Sequence, residues 1–336
     1  MMNKTLKALI IVVIAILATT IIVLDSNSEY EKTAYAMAAQ IDIKLIGKNN
    51  EEVCEKINKR IVECENKEIS RNISTSDISK INSRKNAAVS EKTRYYLESM
   101  VDFSKSCGGA LDLTVGKLTA LWGIGTDDFK VPDEKEIKKA LSGIGYEKIK
   151  INKEFVSIGR NQSLDLGSVG KGIACDEALE IAKANDVKQL VISVGGSVCL
   201  WNKNENKDFT VGIRNPEKSA SDYIITVKTN NVFASTSGTY ERFSTDKKGK
   251  TYHHILSTVS GYPVENNVLS VTVFADNGMM SDALSSACLI LGYENSDALL
   301  EKYKASAVFV FKDKSVKVSK NFDYKLEMKN NSYVLK

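Results

Sequence analysis

Near its C-terminal end the chain reads Met279-Met280-Ser281-Asp282-Ala283-Leu284-Ser285-Ser286-Ala287-Cys288-Leu289-Ile290-Leu291-Gly292. The apolar residues recur with the period of a helix, and Gly292 can end that helix as a C-cap. Asp282 and Ser286 are four residues apart, so they share one face of the helix. A carboxylate and a hydroxyl one turn apart can bind Mg²⁺ as hard oxygen ligands. Taken alone, the stretch favours a plainer interpretation, in which Ser281 or Asp282 caps the helix and Ser286 packs.

A glycine-rich turn precedes another predicted helix. It lies in the sequence Leu164-Asp165-Leu166-Gly167-Ser168-Val169-Gly170-Lys171-Gly172-Ile173-Ala174-Cys175-Asp176. Backbone N–H groups at a helix start can bind phosphate, and Lys171 adds a positive charge there. An ordinary loop with an exposed lysine is the alternative. The turn lacks the terminal Lys-Ser/Thr pair of a Walker loop and does not match the Rossmann fingerprint.

The chain contains two histidines, and they are adjacent, at His253 and His254. They follow the polar run Ala234-Ser235-Thr236-Ser237-Gly238-Thr239-Tyr240. Because the unperturbed pKa of histidine is about 6.5, such a side chain can accept a proton from a hydroxyl at neutral pH. Binding a phosphate, ordering the loop and a purely structural role are the alternatives.

Taken in order, these motifs resemble the FAD:protein FMN transferases, the ApbE-like flavin transferase family. Two further segments carry the resemblance, Asp112-Leu113-Thr114-Val115-Gly116 and Leu121-Trp122-Gly123-Ile124-Gly125. The resemblance extends from about Ala36 to about Leu291. It implies an enzyme that moves the FMN half of FAD onto a threonine or serine hydroxyl of an acceptor flavoprotein and releases AMP. It also implies a flavin site in a cleft between two subdomains, with Mg²⁺ at the pyrophosphate.

The resemblance assigns roles to individual residues. His254 and Asp282 are the expected catalytic residues, and His254 rather than His253 matches the family's important histidine. The metal ligands are the Asp282 carboxylate, the Ser286 hydroxyl and the backbone carbonyl of Ser168. The residues expected to bind or line FAD are Met37, Asn72, Ala110, Leu111, Asp112, Asp165, Lys171 and Ile255. Trp122 stands in an apolar setting and is expected in the core.

The chain departs from the family's pattern at four places. Ser286 stands where threonine is usual, so the hydroxyl loses the methyl group that restricts its rotamer. The family's His-Ile-x-Asp-Pro run becomes His254-Ile255-Leu256-Ser257-Thr258, which puts the loop geometry in question. The usual Met-Gly-Thr becomes Met37-Ala38-Ala39. Asn72 replaces a tyrosine that packs on FAD, and an amide cannot supply that aromatic area.

Two other functions remain open at this stage. With Asn72 in place of tyrosine, water can compete as the acceptor, which would make the protein an FAD pyrophosphatase that yields FMN and AMP. A surface protein that binds FAD without chemistry is the alternative from another class. By resemblance, the acceptor of a transferase would be a subunit of a redox-driven membrane pump or a surface electron carrier.

The first thirty residues form a separate unit in this interpretation, with residues 31–336 as the flavin transferase domain. Lys4 and Lys7 precede an apolar run from Ala8 to Leu24, which is about long enough to span a bilayer. Positive charge before the run predicts a cytoplasmic N-terminus and a catalytic domain outside the cell membrane. A cleaved signal peptide is the alternative. Asp25 to about Lys32 is expected to be a polar tether.

Composition and periodicity predict an α+β fold, with mixed sheets and packed helices. A hydrophobic fraction of 43% is typical of a folded globular chain. The net charge of +4 and the lack of a basic block interleaved with aromatics argue against a nucleic-acid partner. The elements do not alternate strictly as βαβ.

Helices are predicted near Glu51–Glu63, Glu91–Ser106, Glu134–Leu141, Gly172–Asn185 and Met279–Leu291. Strands are predicted at Gln40–Ile46, Leu190–Ser193, Phe209–Ile213, Tyr223–Thr229, Ser270–Phe274 and Ala307–Phe311.

The six cysteines are scattered and form no CxxC pair. Export would favour disulfides, yet four of the cysteines lie in apolar helix or strand patterns, where a free thiol behaves as a small hydrophobe. They are therefore expected to be unpaired structural residues. No pair has the spacing of a zinc site.

Overall fold

The computed structural model of the protein describes residues 28–124, 126, 128–205, 207–217, 222–240, 243–245 and 249–336. The predicted membrane helix and its alternative, a signal peptide, fall in residues 1–27 and so lie outside the described residues. Among the residues that are described, no helix has the length and apolar character needed to cross a bilayer.

A nine-stranded sheet is the centre of the described structure, with the strand order β1-β2-β6-β7-β10-β13-β14-β15-β17. Neighbouring strands are antiparallel except for β15 and β17, which are parallel. The strands are β1 (Ser28–Ala36), β2 (Ala39–Gly47), β6 (Gln189–Val194), β7 (Ser197–Asn202), β10 (Val232–Gly238), β13 (Val268–Ala275), β14 (Ser306–Phe311), β15 (Ser315–Val318) and β17 (Val334–Leu335).

Three smaller sheets complete the strand structure of the described ranges. One has the order β16-β9-β8, one has the order β3-β5-β4, and the third is the hairpin β11-β12. Their bounds are β3 (Asn86–Ala88), β4 (Lys150–Ile151), β5 (Phe155–Ser157), β8 (Phe209–Arg214), β9 (Tyr223–Thr229), β11 (Phe243–Thr245), β12 (Thr251–His253) and β16 (Lys325–Met328).

The described helices pack against the sheets, so the predicted α+β class is confirmed. The helices are α1 (Asn50–Cys64), α2 (Asp77–Arg84), α3 (Glu91–Ser106), α4 (Gly116–Leu121), α5 (Glu134–Leu141), α6 (Gly170–Ala184), α7 (Gly278–Leu291) and α8 (Asp297–Lys302). A π-helical segment, Glu65–Ile69, continues α1, and short 3₁₀ turns cover Tyr146–Lys148 and Tyr293–Asn295.

The predicted elements are confirmed to within two residues at each end, because their patterns match the burial that the fold imposes. In β2 the side chains of Ile41, Ile43 and Leu45 are buried and alternate with more exposed neighbours. A hairpin turn at Gly195-Gly196 joins β6 to β7, and Gly195 has a φ of 56°. Glycine adopts that left-handed conformation without a Cβ clash.

The prediction of a polar tether from Asp25 to about Lys32 is wrong from Ser28 onward. Residues Ser28–Ala36 form the edge strand β1, which pairs along its whole length with β2. The strand is polar because its exposed side chains face solvent, and Lys44 of β2 forms ion pairs with Glu29 and Glu31. Charged side chains are usual on an edge strand, where they discourage pairing with other chains.

Trp122 and the cysteines behave as the sequence indicates. Trp122 is fully buried and donates from its indole nitrogen to the carbonyl oxygen of Gly261 at 2.9 Å, which confirms its place in the core. All six cysteines are free and buried. Burial raises the pKa of the Cys199 thiol above its ordinary value and that of Cys288 to about 12, so both stay as neutral thiols.

Candidate functional site

A cleft of about 990 Å³ brings together every residue that the sequence assigned to the site. Its walls come from the β1–β2 turn, the turn before α6, the start of α6, one face of α7 and several loops. The predicted residues among those that line it are Met37, Asn72, Ala110, Leu111, Asp112, Asp165, Ser168, Lys171, His254, Ile255, Asp282 and Ser286. Their roles, and the division of the fold into two subdomains, stay predictions.

Close packing of α6 against α7 fixes the position of Asp282. The Asp282 carboxylate is 3% exposed, and its Oδ2 accepts a hydrogen bond from the backbone N–H of Gly172 at 2.9 Å. A side chain on Gly172 would overlap the carbonyl group of Gly278, and one on Gly278 would overlap the Gly172 carbonyl oxygen. Glycine at both positions therefore allows the two helix starts to approach and brings the Asp282 carboxylate to the first turn of α6.

The plainer interpretation of this stretch, in which Ser281 or Asp282 caps α7, is wrong. Asn277 is the N-cap residue, and its side chain accepts the N–H of Met280 at 2.9 Å. The two preceding backbone N–H groups, those of Gly278 and Met279, donate to the carboxylate of Asp176 on α6 at 2.7 and 2.8 Å. Burial raises the pKa of Asp176 to about 6, while the two N–H donors oppose that shift.

A row of hydroxyl contacts joins α7 to β10. The Oγ of Ser237 lies 3.0 Å from the Oγ of Ser286 and 2.8 Å from that of Ser285. One turn earlier, Ser281 contacts Ser235 at 2.7 Å. Serine at position 286 lacks the methyl group of threonine, but Ser237 supplies a partner that restrains its hydroxyl.

The oxygen atoms at this place suit a magnesium ion. Asp282 provides a buried carboxylate, Ser286 provides a hydroxyl, and Ser168 lines the same cleft in the turn before α6. Within the described ranges, no three or more His, Cys, Asp and Glu side chains cluster in a way that could hold a metal. One carboxylate with neutral oxygens fits Mg²⁺, which usually takes its remaining ligands from substrate phosphates and water.

Asp165 belongs to a charged network that the sequence did not reveal. Its Oδ2 accepts a hydrogen bond from Thr119 at 2.6 Å and lies 3.3 Å from the Nε of Arg71. The same guanidinium donates to Thr119 at 2.9 Å and to the carbonyl oxygen of Ile124 at 2.6 Å. Gly167 donates its N–H to Asp165 Oδ1 at 2.8 Å. Asp165 is thus held rigidly on the cleft wall.

Asp112 supports the wall that Ala110 and Leu111 form. Its Oδ1 accepts the N–H and the hydroxyl of Thr114 at 2.8 and 2.7 Å, and its Oδ2 accepts the N–H of Tyr146 at 2.9 Å. Both oxygens are therefore used inside the protein, and the side chain is 3% exposed. This geometry indicates that Asp112 shapes the cleft, with Ala110 and Leu111 offering it an apolar surface.

The two histidines face different cavities. His254 lines the cleft, as does Ile255, whereas His253 lines a separate depression of about 870 Å³. The Nδ1 of His253 accepts the N–H of Ile255 at 3.3 Å, so its Nε2 donates to the carbonyl oxygen of Val264 at 2.9 Å. Burial lowers the pKa of His253, which keeps this ring neutral. His253 therefore anchors the loop that presents His254.

The loop after His254 is held without the aspartate and proline of the family pattern. Thr258 donates its hydroxyl to the carbonyl oxygen of Gly109 at 2.8 Å. The Oγ of Ser257 accepts the N–H groups of Val259 and Ser260, both at 3.2 Å. The two replacements thus tie the loop to the cleft wall and to itself.

The β1–β2 turn carries Met37 to the cleft. Met37 and Ala38 have φ angles of 54° and 53°, a left-handed pair that favours glycine and explains why the family pattern has glycine at the second position. The N–H of Met37 donates to Glu65 at 2.9 Å, which fixes the turn. Asn72 is exposed on the cleft wall, beside Arg71.

A family model described as the ApbE family matches residues 37–310, which is most of the chain. This protein belongs to the ApbE family.

Named relatives are similar to it in sequence. The FAD:protein FMN transferase of Treponema pallidum (strain Nichols) is 32% identical over 242 residues, covering 66% of this chain and 66% of the relative. That of Klebsiella pneumoniae (strain 342) is 31% identical over 214 residues, covering 62% of this chain and 66% of the relative. The chain thus spans just under two thirds of the length of these curated relatives.

Solved structures of the family have the same fold. The ApbE protein of Thermotoga maritima superimposes with a TM-score of 0.80 at 27% identity, covering 88% of this chain and 98% of that one. The flavinyl transferase ApbE of Pseudomonas stutzeri, in its apo form, gives 0.76 at 24% identity over 88% of this chain and 96% of that one. Because the identity to the Pseudomonas stutzeri protein is only 24%, that similarity shows the fold alone.

Two residues that line this ApbE-family cleft, and one that supports it by accepting hydrogen bonds from the start of α7, were missed in the sequence. Arg71 directly precedes Asn72, and a cation beside a predicted binding residue was a usable signal. Asp176 lies four residues after Gly172, on the same face of a predicted helix, and that spacing was usable too. Arg214, at the end of β8, also lines the cleft, and no local pattern identifies it.

Proposed function

We propose that this protein transfers the FMN moiety of FAD to a threonine or serine hydroxyl of an acceptor flavoprotein and releases AMP, in a Mg²⁺-dependent reaction. One observation carries the proposal, namely that twelve residues chosen from separate parts of the sequence line a single cleft. The names of the curated relatives support it. A cleft of this size also matches the range typical of small-molecule sites.

The proposed reaction is a displacement at phosphorus. The acceptor oxygen forms a bond to the phosphorus of the FMN half, and the bond from that phosphorus to the bridging oxygen breaks. The electron pair stays on the bridging oxygen, which departs in the phosphate of AMP, and the hydroxyl proton passes to His254. Such reactions depend mainly on positioning and on neutralising charge.

Each part of the cleft has a task in this reaction. Asp282, Ser286 and the Ser168 carbonyl would hold Mg²⁺, which supplies Lewis-acid neutralisation of the pyrophosphate when bound. Lys171 and the backbone N–H groups at the start of α6 offer positive charge to the phosphates. Met37, Ala110 and Leu111 would cover the flavin ring, while Asp165 contacts the nucleotide.

The proposed location follows from the N-terminal sequence. The apolar run from Ala8 to Leu24, preceded by Lys4 and Lys7, would anchor the protein in the cell membrane with its catalytic domain outside the cytoplasm. An acceptor in that compartment, such as a subunit of a membrane redox pump or a surface electron carrier, would then be within reach.

The decisive experiment incubates the purified full-length protein with FAD, Mg²⁺ and a candidate acceptor. Transfer is expected to release AMP and to add the mass of FMN, less water, to the acceptor in equal amounts. AMP and free FMN without a labelled acceptor would identify an FAD pyrophosphatase, the second candidate, which Asn72 favours. FAD binding without any AMP would leave only a flavin-binding protein.

Asn72→Tyr is expected to tighten FAD binding several-fold. An aromatic ring at this exposed position on the cleft wall can pack on the flavin nucleotide, and such packing contributes roughly 0.5–1.5 kcal/mol beyond area burial. The ring would also exclude water from the pyrophosphate, so hydrolysis should fall relative to transfer.

FAD titration of both proteins without metal, which prevents turnover, measures the first effect. The ratio of free FMN to labelled acceptor measures the second. Asn72→Ala is the matched control, because it changes the residue without adding a ring. If the tyrosine and alanine variants bind FAD equally, Asn72 has no part in the site.

A further inference from the structure

Arg214 is a cation in the cleft that the proposed mechanism does not yet use. It ends β8 in the small sheet β16-β9-β8, it is half-buried, and it lines the cleft. Its guanidinium carbon lies 4.9 Å from the centroid of the Tyr240 ring, within the range of a cation–π contact. Across the part of the chain that the structure describes, Arg214 forms no ion pair and donates no hydrogen bond to another residue.

The second arginine of the cleft is in the opposite state. Arg71 is paired with Asp165 and donates to Thr119 and to two backbone carbonyl oxygens, so its donors are largely used. With respect to the residues that the structure describes, Arg214 keeps all five N–H donors available. A guanidinium that is held in place by a ring, with its donors unused in a concave site, is suited to an anion with planar or forked oxygens, such as phosphate.

The end of β10 contacts the predicted metal ligand Ser286 through Ser237 and the Tyr240 ring, which holds Arg214, through Gly238. The Oγ of Ser286 lies 3.0 Å from that of Ser237 on β10, and Gly238 follows at the end of the strand. The Tyr240 ring packs directly on Gly238, where a Cβ would lie 2.7 Å from the ring. That ring carries Arg214 on its face. The guanidinium therefore lines the same cleft as Ser286 and Asp282.

We propose that Arg214 binds the pyrophosphate of FAD and neutralises the charge that develops on the departing AMP phosphate. The inference rests on the proposed function and adds a residue from the small sheet to it. When the bond between the FMN phosphorus and the bridging oxygen breaks, the electron pair stays on the oxygen that leaves with AMP. A guanidinium near that oxygen stabilises it, as basic side chains do in other phosphoryl transfers.

The test compares FAD with riboflavin, which has the same ring system and no phosphate. Both ligands are titrated into the full-length protein without metal, and flavin fluorescence reports binding. Arg214→Gln is expected to weaken FAD binding by about tenfold to a hundredfold, the range for a lost charge-assisted hydrogen bond, with riboflavin binding unchanged. Arg214→Lys should recover part of the loss, because it keeps the charge but not the fork.

Arg160→Gln is the matched control, since it removes the same charge from an exposed site outside the cleft. Added salt should reduce the difference in FAD affinity between the wild type and Arg214→Gln, because it screens the charge of the guanidinium. Equal losses for FAD and riboflavin would indicate a structural role and overturn the inference. So would unchanged FAD binding, including the case in which only the KM for the acceptor rises. A wild-type protein that does not bind FAD would remove the proposed function as well.

Discussion

Asp282→Ala is expected to abolish AMP release from FAD in millimolar Mg²⁺. The substitution leaves a serine hydroxyl and a backbone carbonyl in the predicted metal site, without an anionic ligand from the protein. Mg²⁺ gives up its water reluctantly, so two neutral oxygens cannot hold it well. AMP release is measured by chromatography of the reaction, and Mg²⁺ binding in the presence of FAD by calorimetry.

Asp282→Asn separates metal binding from folding. The Asp282 carboxylate also accepts the Gly172 N–H, so the alanine variant loses a buried hydrogen bond, which contributes about 1 kcal/mol to stability. Asparagine keeps an oxygen for that bond while it removes the charge. The asparagine variant should therefore unfold at nearly the wild-type temperature and still fail to release AMP. Turnover at the wild-type rate in either variant would remove Asp282 from the metal site.

The parts of this site that were predictable from the sequence are those with a local pattern. The apolar period of Met279–Leu291 and the glycines before α6 fix two helices and their starts. Both starts adjoin the cleft because Gly172 and Gly278 allow the backbones to meet. Local sequence shows the glycines, and the family resemblance indicates that their helices serve one site.

The parts that were not predictable depend on pairing between distant segments. Arg71 pairs with Asp165, and Arg214 packs on Tyr240, only in the folded structure, where distant segments lie side by side. No spacing in the sequence encodes such contacts. The strand β1 was missed for a related reason. Its polar residues resemble a tether until β2 pairs with them, with Glu31 directly opposite Lys44. Cross-strand pairing outweighs the weak local preference of such a segment.

The position of the cleft also separates two kinds of polar residue that look alike in the sequence. Asp112 and Asp165 were both assigned to FAD, and both oxygens of each carboxylate accept hydrogen bonds, but Asp112 is buried and accepts from the neutral donors of Thr114 and Tyr146. Asp165 is held by a cation, Arg71, and faces the cleft with its partners. Substitution at Asp112 would thus act on the shape of the wall, and substitution at Asp165 on the charge that a nucleotide meets.

His254→Ala is expected to lower the rate of transfer by about two to four orders of magnitude, the usual contribution of a general base. FAD binding should survive, because the proposed contacts to the flavin ring, the pyrophosphate and the metal come from other residues of the cleft. Single-turnover measurement of acceptor labelling gives the rate, and titration without metal gives the FAD affinity. A fall in kcat with an unchanged FAD affinity is the pattern that a proton acceptor predicts.

His253→Ala is the matched control, since the two histidines are adjacent but face different cavities. His253 bonds to Val264 and Ile255, so its loss should cost about 1 kcal/mol of stability and leave the transfer rate nearly unchanged. A larger loss of rate from His253→Ala than from His254→Ala would show that the assignment of His254 as the reactive histidine is wrong. Equal losses would mean that both act through the shape of the loop, because a ring that faces away from the cleft cannot accept the hydroxyl proton.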